Sequence, residues 1–320
     1  MAPVIETQQL TKTYAGNNGI HDLDLLITPG EIFGYLGPNG SGKTTTIRLL
    51  LGLIRPDRGK VRLFDQPASA STRRLRARIG YAPGEASIPE NMSGARLLRW
   101  YARLSGSRAP LRDSLCKQLS LSEKDLQKPI RALSRGTKQK LILIQALQHN
   151  PDLVILDEPT TGLDPLAQEA FFDILLDLRD QGRTIFFSSH ILSEVQRLCD
   201  RVAVLREGRL VLQSTMMEMA AQADRLLWIK FRQTGQPAEE ESPVEAEASA
   251  PRIPGARFIR VDSGGWLLYL APAGESRQLL HELARIDPLD FRLEPALEES
   301  FLRLYGVRVS NRHRPEEAAR

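Results

Sequence analysis

Short apolar runs separated by polar turns recur along most of the chain. Continuous apolar runs at residues 32–36 and 153–156 have the length of strands that are buried on both faces of a sheet. Similar runs predict further strands at residues 4–10, 23–27, 61–64 and 184–188. Segments of helical length and composition alternate with these runs, at residues 44–53, 171–178 and 191–199. Strands that alternate with helices favour an α/β fold with an at least partly parallel sheet.

Two stretches depart from this alternation. Residues 83–150 have a mostly helical pattern, so we expect a helical part inserted between the strands. Residues 202–205 and 209–212 flank Glu207-Gly208, which predicts a hairpin-like turn.

Composition changes near residue 233. Residues 233–256 are rich in Pro, Glu, Ala and Ser, and they carry five acidic side chains and one basic side chain. Such a segment buries too little apolar surface to order itself, so we predict a flexible acidic linker. Strand and helix patterns return after it. We therefore divide the chain into a main domain at residues 1–215 and a small α+β C-terminal accessory domain at residues 216–320.

Composition also excludes several classes of protein. The 320 residues are 42% hydrophobic and 26% charged, with a formal net charge of +4, which argues against a disordered, collagen-like or integral-membrane chain. No apolar run approaches the roughly 18–20 residues of a membrane-spanning helix, and the first residues do not resemble a secretory signal. Cys116 and Cys199 suggest neither a disulfide framework nor a zinc site. We expect a cytoplasmic protein in a reducing compartment.

One glycine-rich loop carries the strongest chemical signal. It follows the apolar run at 32–36, opens a predicted helix, and fits the pattern G-x-x-x-x-G-K-[ST] in full. Its residues are Gly37, Pro38, Asn39, Gly40, Ser41, Gly42, Lys43 and Thr44, with Thr45 next in the chain. Backbone N–H groups of such a loop bind phosphate, while Lys43 would neutralise the β and γ phosphates of a nucleotide and Thr44 would ligate Mg²⁺. The alternative is a glycine-rich turn with an incidental lysine, which the strand–loop–helix context disfavours.

Two carboxylates, Asp157 and Glu158, end the apolar run at 153–156. Two acids at the end of a buried strand are costly unless a metal ion or a water molecule uses them. We expect Asp157 to hold Mg²⁺, directly or through water, and Glu158 to polarise the attacking water. A solvated acidic turn would explain the pair alone. Kinases, GTPases, helicases and motor ATPases share a phosphate loop with an acidic strand, so further motifs must decide between these classes.

Four further motifs resemble those of the nucleotide-binding subunits of ATP-binding cassette (ABC) transporters. Residues 133–139, Leu-Ser-Arg-Gly-Thr-Lys-Gln, resemble the LSGGQ signature and precede the acidic strand at the family's spacing. Residues 162–164, Gly-Leu-Asp, resemble the D-loop. His190 resembles the switch histidine, and Tyr14 resembles the aromatic residue that stacks on adenine. Each has an ordinary structural explanation when taken singly, but together they keep the family's order over about residues 4–213.

This resemblance implies a P-loop NTPase fold with a mixed β-sheet core and a helical subdomain at about residues 85–150. It also implies an ATPase that works as a head-to-tail dimer. Each ATP would lie between Lys43 of one subunit and Ser134 and Gly136 of the other, so a single cassette has an incomplete site. The dimer would be a homodimer or a pseudo-symmetric pair of cassettes.

The resemblance also implies roles for three more side chains. His190 would contact the γ-phosphate, Glu158 would activate water, and Asp164 would couple the two sites across the dimer. ATP would close the dimer and hydrolysis would release it, which would drive a separate permease in the membrane. The chain would then be peripheral on the inner face of the cell membrane.

Two positions depart from the family pattern. Arg135 and Thr137 stand where the commonest signature has Gly and Gln, although Ser134 and Gly136 remain. In the segment Ile-Gly-Tyr-Ala-Pro at residues 79–83, the following residues are Gly84 and Glu85 where many cassettes have a glutamine that helps to hold Mg²⁺. Either Glu85 substitutes for that glutamine or its role is lost.

The end of the chain suggests a branch of the family. Residues 297–306, Leu-Glu-Glu-Ser-Phe-Leu-Arg-Leu-Tyr-Gly, resemble the ending of cassettes that serve ABC-2 type exporters, a branch that includes drug, antibiotic-resistance and sodium efflux ATPases. The same residues also form an ordinary core-facing helical stripe. We therefore expect an integral-membrane permease of the ABC-2 type as partner, and no nucleic acid.

Two other classes of function remain as alternatives. A soluble ABC ATPase acting on ribosomes or nucleic acid is disfavoured by the single phosphate loop, the single signature and the lack of sustained heptads. A P-loop kinase would leave the signature and His190 as accidents.

The net charge hides two opposed blocks. Residues 51–150 carry 20 basic and 7 acidic side chains, whereas residues 151–200 carry 3 basic and 10 acidic ones. We expect the basic block to face phosphate, the permease or the anionic inner leaflet of the membrane.

Overall fold

The computed structural model describes residues 2–15, 18–68, 73–84, 88–230, 252–261, 266–274, 276–286, 288–297 and 301. Within them the chain forms two compact units, Met1–Thr215 and Met216–Arg320. Glu85, most of the predicted acidic linker and most of the predicted 297–306 motif lie outside the described residues.

The first unit contains two sheets and eight helices within its described residues. Its strands are β1 Ile5–Thr13, β2 Gly19–Leu23, β3 Leu26–Ile27, β4 Ile32–Leu36, β5 Arg58–Leu63, β6 Gln66–Pro67, β7 Ile79–Ala82, β8 Leu153–Asp157, β9 Thr184–Ser189, β10 Arg201–Arg206 and β11 Arg209–Thr215. Its helices are α1 Lys43–Leu50, α2 Arg73–Ala77, α3 Gly94–Ser105, α4 Arg112–Gln118, α5 Glu123–Gln127, α6 Arg135–Leu147, α7 Pro165–Asp180 and α8 Leu192–Leu198. A 3₁₀ turn at Ile130–Ala132 precedes α6.

The central sheet has the strand order β11-β10-β4-β9-β8-β7. All neighbouring pairs are parallel except β10 with β11, which form the predicted hairpin. Every residue of β4, β8 and β9 is buried, which explains their continuous apolar runs. Leu36 lies opposite Ser189, and Asp157 lies opposite Ser188, so the carboxyl ends of these strands meet at one edge of the sheet. The predicted α/β fold with a mixed sheet is confirmed.

A second, antiparallel sheet has the order β2-β1-β5-β6, and β3 also pairs with β1. The single strand predicted at residues 23–27 is wrong, because the structure has the two strands β2 and β3 instead. Asp24 lies between them, and its Oδ1 accepts the backbone N–H of Gln9 at 2.6 Å. This side-chain bond occupies a donor of β1 and so interrupts the ladder.

Helices α3 to α6 lie in the chain between β7 and β8, although these two strands are neighbours in the sheet. Helix α3 packs against α5 and α6, and α6 packs against β7. On α3 the buried side chains are Leu97, Leu98 and Ala102. Within this helical insert, α3 therefore packs on α6, the helix that follows the predicted signature residue Ser134, and α6 joins the insert to the central sheet through β7.

Two helix boundaries differ from the sequence prediction. Helix α1 ends at Leu50 rather than near residue 53, and Gly52 follows with a φ of +65°. Helix α7 begins at Pro165 rather than near residue 171, because Asp164 caps it and proline suits the first helical position.

The second unit has a four-stranded antiparallel sheet with the order β13-β14-β12-β15. Its elements are α9 Met216–Gln222, β12 Arg225–Lys230, β13 Arg257–Val261, β14 Leu267–Ala271, α10 Ser276–Ile286 and β15 Asp290–Pro295. Its core is formed by Leu227, Ile229, Ile253, Tyr269, Ala271, Leu279 and Leu283. Nowhere in the described part of the chain is a helix both long enough and apolar enough to cross a bilayer.

Candidate functional site

The loop between β4 and α1 places Lys43 at the edge of the central sheet. Gly42, just before it, has a φ of +110°, and a Cβ there would lie 2.6 Å from Cγ2 of Ile20, so only glycine fits. The Lys43 side chain is 5% exposed, and its Nζ donates to the carbonyl oxygens of Gly37 at 2.7 Å and Pro38 at 3.1 Å. Nζ also lies 3.0 Å from Oε1 of Glu158. Lys43 is therefore a buried cation held in a fixed position.

Asp157, the last residue of β8, lies beside the same loop. The Thr44 hydroxyl donates to Oδ2 of Asp157 at 2.9 Å, and the Ser188 hydroxyl donates to Oδ1 at 2.9 Å. Asp157 is only 4% exposed. Burial raises the pKa of this carboxyl group, and the hydrogen bonds from Ser188 and Thr44 oppose that rise. A cation beside Asp157 would offset the cost of burying its charge.

Glu158 links Lys43 to His190. Its φ of +48° lies in the left-handed region, which is uncommon for a residue other than glycine. Its backbone N–H donates to the carbonyl oxygen of Ser188 at 3.2 Å, and it also lies 3.2 Å from that residue's Oγ. While Oε1 faces Lys43, Oε2 lies 3.2 Å from Nδ1 of His190. The backbone strain is thus combined with a carboxylate fixed at both oxygens, a feature often found at functional sites.

The residues present fit a nucleotide and its metal ion. Oγ of Ser41 is buried and has no hydrogen-bond partner within the described chain, so the loop that leads to Lys43 holds an unpaired hydroxyl. Thr44 and Asp157 supply two hard oxygen atoms. The described residues contain no group of three or more His, Cys, Asp or Glu side chains arranged for a metal ion. Mg²⁺ is commonly held by one or two carboxylates together with substrate phosphates, and that matches this donor set.

The signature residues form a separate group at the start of α6. Ser134 caps the helix: its Oγ accepts the backbone N–H of Thr137 at 3.2 Å and lies 2.8 Å from the Thr137 hydroxyl. A Cβ on Gly136 would lie 3.0 Å from the carbonyl oxygen of Gly162, so the helix start packs closely on that loop. The contacts of Ser134 and Gly136 are thus with their own surroundings and do not include Lys43.

Two other predicted site residues lie outside the cluster around Lys43. Asp164 is exposed and caps α7, because its Oδ1 accepts the N–H of Ala167 at 2.9 Å. That backbone hydrogen bond lowers the pKa of the Asp164 carboxyl group. Tyr14 is 45% exposed, and its ring lies 5.9 Å from Nζ of Lys12. The structure therefore brings together Lys43, Thr44, Asp157, Glu158 and His190, and leaves Tyr14, Ser134, Gly136 and Asp164 with other neighbours.

Comparison with known proteins decides the family. A family model described as "ABC transporter" matches residues 20–161. An uncharacterized ABC transporter ATP-binding protein of Nostoc sp. (strain PCC 7120) is 40% identical over 228 residues, covering 68% of each chain. The Nod factor export ATP-binding protein I of Rhizobium etli is 32% identical over 307 residues, which cover 94% of this chain and 93% of that protein. The chain belongs to the ATP-binding subunits of ABC transporters.

Solved structures agree with this ABC assignment. The structure of an ATP-binding subunit of an ABC transporter matches with a TM-score of 0.64 and 30% identity, covering 68% of this chain and 92% of that chain. A cassette solved as a dimer in a post-hydrolysis state with ADP and Pi matches with a TM-score of 0.58 and 21% identity, covering 66% of this chain and 98% of that chain. At this low identity the match shows the fold alone. The protein is thus an ATPase of the ABC family.

Two residues of this ABC cassette were missed by sequence reasoning. The sequence pattern indicates Ser188 only as part of a strand, yet the hydroxyl of Ser188 donates to Oδ1 of Asp157. The signature motif includes Gln139 but predicts no role for it. Its side chain is 6% exposed, and its Nε2 donates to the carbonyl oxygen of Pro159 at 2.7 Å. A buried amide in the first turns of α6 therefore ties the signature helix to the residue after Glu158. A polar residue such as Gln139 at a core-facing position of a helix is the sequence signal that predicts such a buried hydrogen bond.

The cassette's departures from the family pattern have structural counterparts. The Thr137 hydroxyl lies 2.8 Å from Oγ of Ser134, the residue that caps α6. The side chain of Arg135 lies against Gly162, where a Cβ would lie 3.2 Å from its Nε. Gly84 lies so close to β8 that a Cβ there would be 2.9 Å from the carbonyl oxygen of Asp157. Glu85, the other residue at the position of the missing glutamine, lies outside the described residues.

Proposed function

We propose that this protein is the ATP-hydrolysing subunit of an ABC-2 type exporter, peripheral on the inner face of the cell membrane. The observation that carries the ATPase part is the contact of Glu158 with both Lys43 and His190, beside the Thr44–Asp157 pair. The exporter part is supported by relatives named for Nod factor export, one of which aligns along nearly its whole length.

The proposed mechanism assigns each side chain of the cluster a task. The backbone N–H groups of the 37–42 loop and the buried hydroxyl of Ser41 bind phosphate oxygens. The Lys43 ammonium group neutralises phosphate charge. Thr44 and Asp157 would hold Mg²⁺, which offsets the negative charge of the phosphates when bound.

Proton transfer belongs to Glu158 in this mechanism. Its carboxylate accepts a proton from the attacking water, while Nδ1 of His190 holds the Oε2 side of the group in position. The left-handed backbone at Glu158 sets the direction of the side chain out of β8. His190 is 41% exposed, so it is free to contact the γ-phosphate as well.

We further propose that two cassettes pair head to tail. Ser134 and Gly136 are at an exposed helix start with no partner in the phosphate loop of their own chain. A helix N-terminus favours an anion, because its free N–H groups carry partial positive charge. A second copy of the chain, or a similar cassette, would bring this helix start to the phosphate bound by Lys43. Asp164 would couple the two sites.

The second unit, residues 216–320, is proposed as an accessory domain that stabilises the dimer or regulates it. Its own core supports independent folding. Truncation after Thr215 should weaken ATP-dependent dimerisation in gel filtration. Unchanged ATPase activity together with unchanged dimerisation would remove this part of the proposal.

Capture from membranes tests the transporter function. The full chain, immobilised with ATP and Mg²⁺, is incubated with detergent-solubilised membranes of its own source, and retained proteins are identified by mass spectrometry. We expect an integral-membrane permease with several hydrophobic segments. A matched sample of Lys43→Ala, which should not close on ATP, is the control. Retention of ribosomal proteins or nucleic acid with no permease would favour the soluble ATPase instead.

A further inference from the structure

Helix α3 carries one continuous exposed stripe. Arg96, Arg99, Trp100, Arg103 and Leu104 are all exposed, and they follow the spacing i, i+3, i+4, i+7 and i+8 that places residues on one face of a helix. The opposite face holds the buried side chains that pack on α5 and α6. The stripe is therefore the solvent side of a helix whose position is fixed by its core contacts.

The three arginines of this stripe have no acidic partner among the described residues. Ion pairs hold other arginines of the cassette, for example Arg78 with Asp152 and Arg197 with Glu169, but none involves Arg96, Arg99 or Arg103. Between Glu90 and Asp113 the sequence contains five arginines and no acid. A local excess of uncompensated positive charge attracts an anionic partner.

Two large apolar side chains lie among these charges. Trp100 is 44% exposed and Leu104 is 53% exposed. Together with Met92, the side chains of Arg96, Arg99, Trp100 and Arg103 line one open cleft. Arginine with tryptophan on one helical face is typical of segments that lie in a membrane interface, where guanidinium groups meet lipid phosphates and the indole ring reaches the acyl boundary.

We propose that the stripe Arg96–Arg99–Trp100–Arg103–Leu104 docks the cassette on an anionic phospholipid surface. This inference rests on the proposed function, because a permease first brings the cassette to a bilayer. The mixture of charges with exposed apolar side chains favours a bilayer over an acidic protein segment. Lipid phosphates neutralise all three arginines at once, while Trp100 and Leu104 enter the interface.

Vesicle co-sedimentation tests the proposal with the full chain. The vesicles contain no protein, except for one set of neutral vesicles that carries the permease identified by capture. Vesicles of phosphatidylglycerol mixed with phosphatidylcholine are compared with vesicles of phosphatidylcholine alone. The test variant is Arg96→Gln, Arg99→Gln, Arg103→Gln. The matched control is Arg55→Gln, Arg58→Gln, Lys60→Gln, which removes the same charge from three exposed residues around β5. ATPase activity in solution, unchanged in both variants, shows that they are folded and that the ATPase site is intact.

Binding of the wild type to anionic vesicles is expected, with little binding to neutral ones. Each basic side chain at an anionic surface strengthens binding about fivefold, so the test variant should bind about 100-fold more weakly. The control variant should stay within about threefold of the wild type, and Trp100→Ala should lose affinity without a change of charge.

Three outcomes would overturn the docking proposal. They are absence of wild-type binding to protein-free anionic vesicles, equal losses in the test and control variants, and arginine-dependent binding only when a permease is present in neutral vesicles. The last outcome would assign the stripe to an acidic protein. None of them touches ATP hydrolysis or permease capture, so this failure is distinguishable from failure of the proposed function.

Discussion

The candidate site has two parts, the phosphate loop with its neighbours and the signature residues at the start of α6. They differ in how many of their polar groups are bonded to other parts of the same chain. Around the phosphate loop, Lys43 is 5% exposed and Asp157 is 4% exposed. Lys43 is bonded to the loop carbonyls of Gly37 and Pro38 and to Glu158, while Asp157 is bonded to Thr44 of α1 and Ser188 of β9. At the signature, Ser134 is exposed, and its bonds stay within the first turn of α6.

This difference indicates which part of the site is formed within one chain and which part needs a second chain. Hydrogen bonds and ion pairs are stronger in the low dielectric of a buried network, so the phosphate-loop end is preorganised within one chain. The signature end offers a helix start toward solvent, and under the proposed function its ligand arrives with another chain. Substitutions at the first end should therefore affect a single cassette, whereas those at the second end should affect only the assembled pair.

Replacement of the carboxylate at the preorganised end should have the largest effect. Glu158→Gln keeps the shape but removes the proton acceptor, so ATP turnover should fall about 1000-fold while ATP still binds. An ATP-bound dimer should then accumulate in gel filtration. Turnover by a phosphate-release assay is the measurement, with Glu169→Gln, an exposed acid paired with Arg197, as a control that should hydrolyse normally. Normal hydrolysis by Glu158→Gln would show that another group takes the proton.

Loss of the buried cation should be the next largest effect. Lys43→Ala removes three contacts at once and leaves the carboxylate of Glu158 without its ammonium partner. Affinity for ATP should fall about 100-fold, because hydrogen bonds to charged groups are the strong ones. Titration calorimetry of a single cassette measures this directly, with the exposed Lys124→Ala as control. Retained affinity would contradict the role of the 37–44 loop in phosphate binding.

The phosphate-loop end could be predicted from sequence better than the signature end. Lys43, Thr44 and Asp157 follow continuous apolar runs, and in a parallel sheet such runs place their carboxyl ends together. The partners of these residues could not be found in this way. Ser188 lies 31 residues from Asp157 in the chain, and only the pairing of β8 with β9 brings the two side chains together.

The same limit applies to the fold as a whole. Periodicity predicted most strands and the helical stretch between β7 and β8, but not the strand order, which depends on which apolar faces pack together. The predicted boundaries of strands and helices were wrong where a side chain takes up a backbone N–H group. Asp24 does so between β2 and β3, and Asp164 does so at the start of α7.

The signature end gives a smaller effect, and one that depends on the dimer. Ser134→Ala removes a hydroxyl that is proposed to contact phosphate across the interface, so turnover should fall about 30-fold, the size expected for one hydrogen bond to a charged group. ATP binding by a single cassette should not change. Ser122→Ala is a matched control, because Ser122 caps α5 with the same geometry and lies outside the proposed interface. Equal losses in both variants would reduce Ser134 to a helix cap.

Loss of the hydrogen bond from Gln139 to Pro159, which joins the signature helix to the segment after Glu158, should have the smallest effect. This substitution tests whether the signature end and the phosphate-loop end act together. Gln139→Leu leaves the carbonyl oxygen of Pro159 without its donor and so loosens the segment that follows Glu158. We expect kcat to fall about fivefold with KM unchanged, because a small displacement of the proton acceptor raises the barrier without changing substrate binding. Gln148→Leu is the control, since Gln148, the residue directly after α6, is also buried and donates to the carbonyl oxygen of Leu98 within the helical insert. Steady-state kinetics should therefore show normal kcat for Gln148→Leu even if its thermal midpoint drops. If both variants lower kcat alike, α6 acts through general stability, and the contact between Gln139 and Pro159 carries no specific coupling between the signature helix and Glu158.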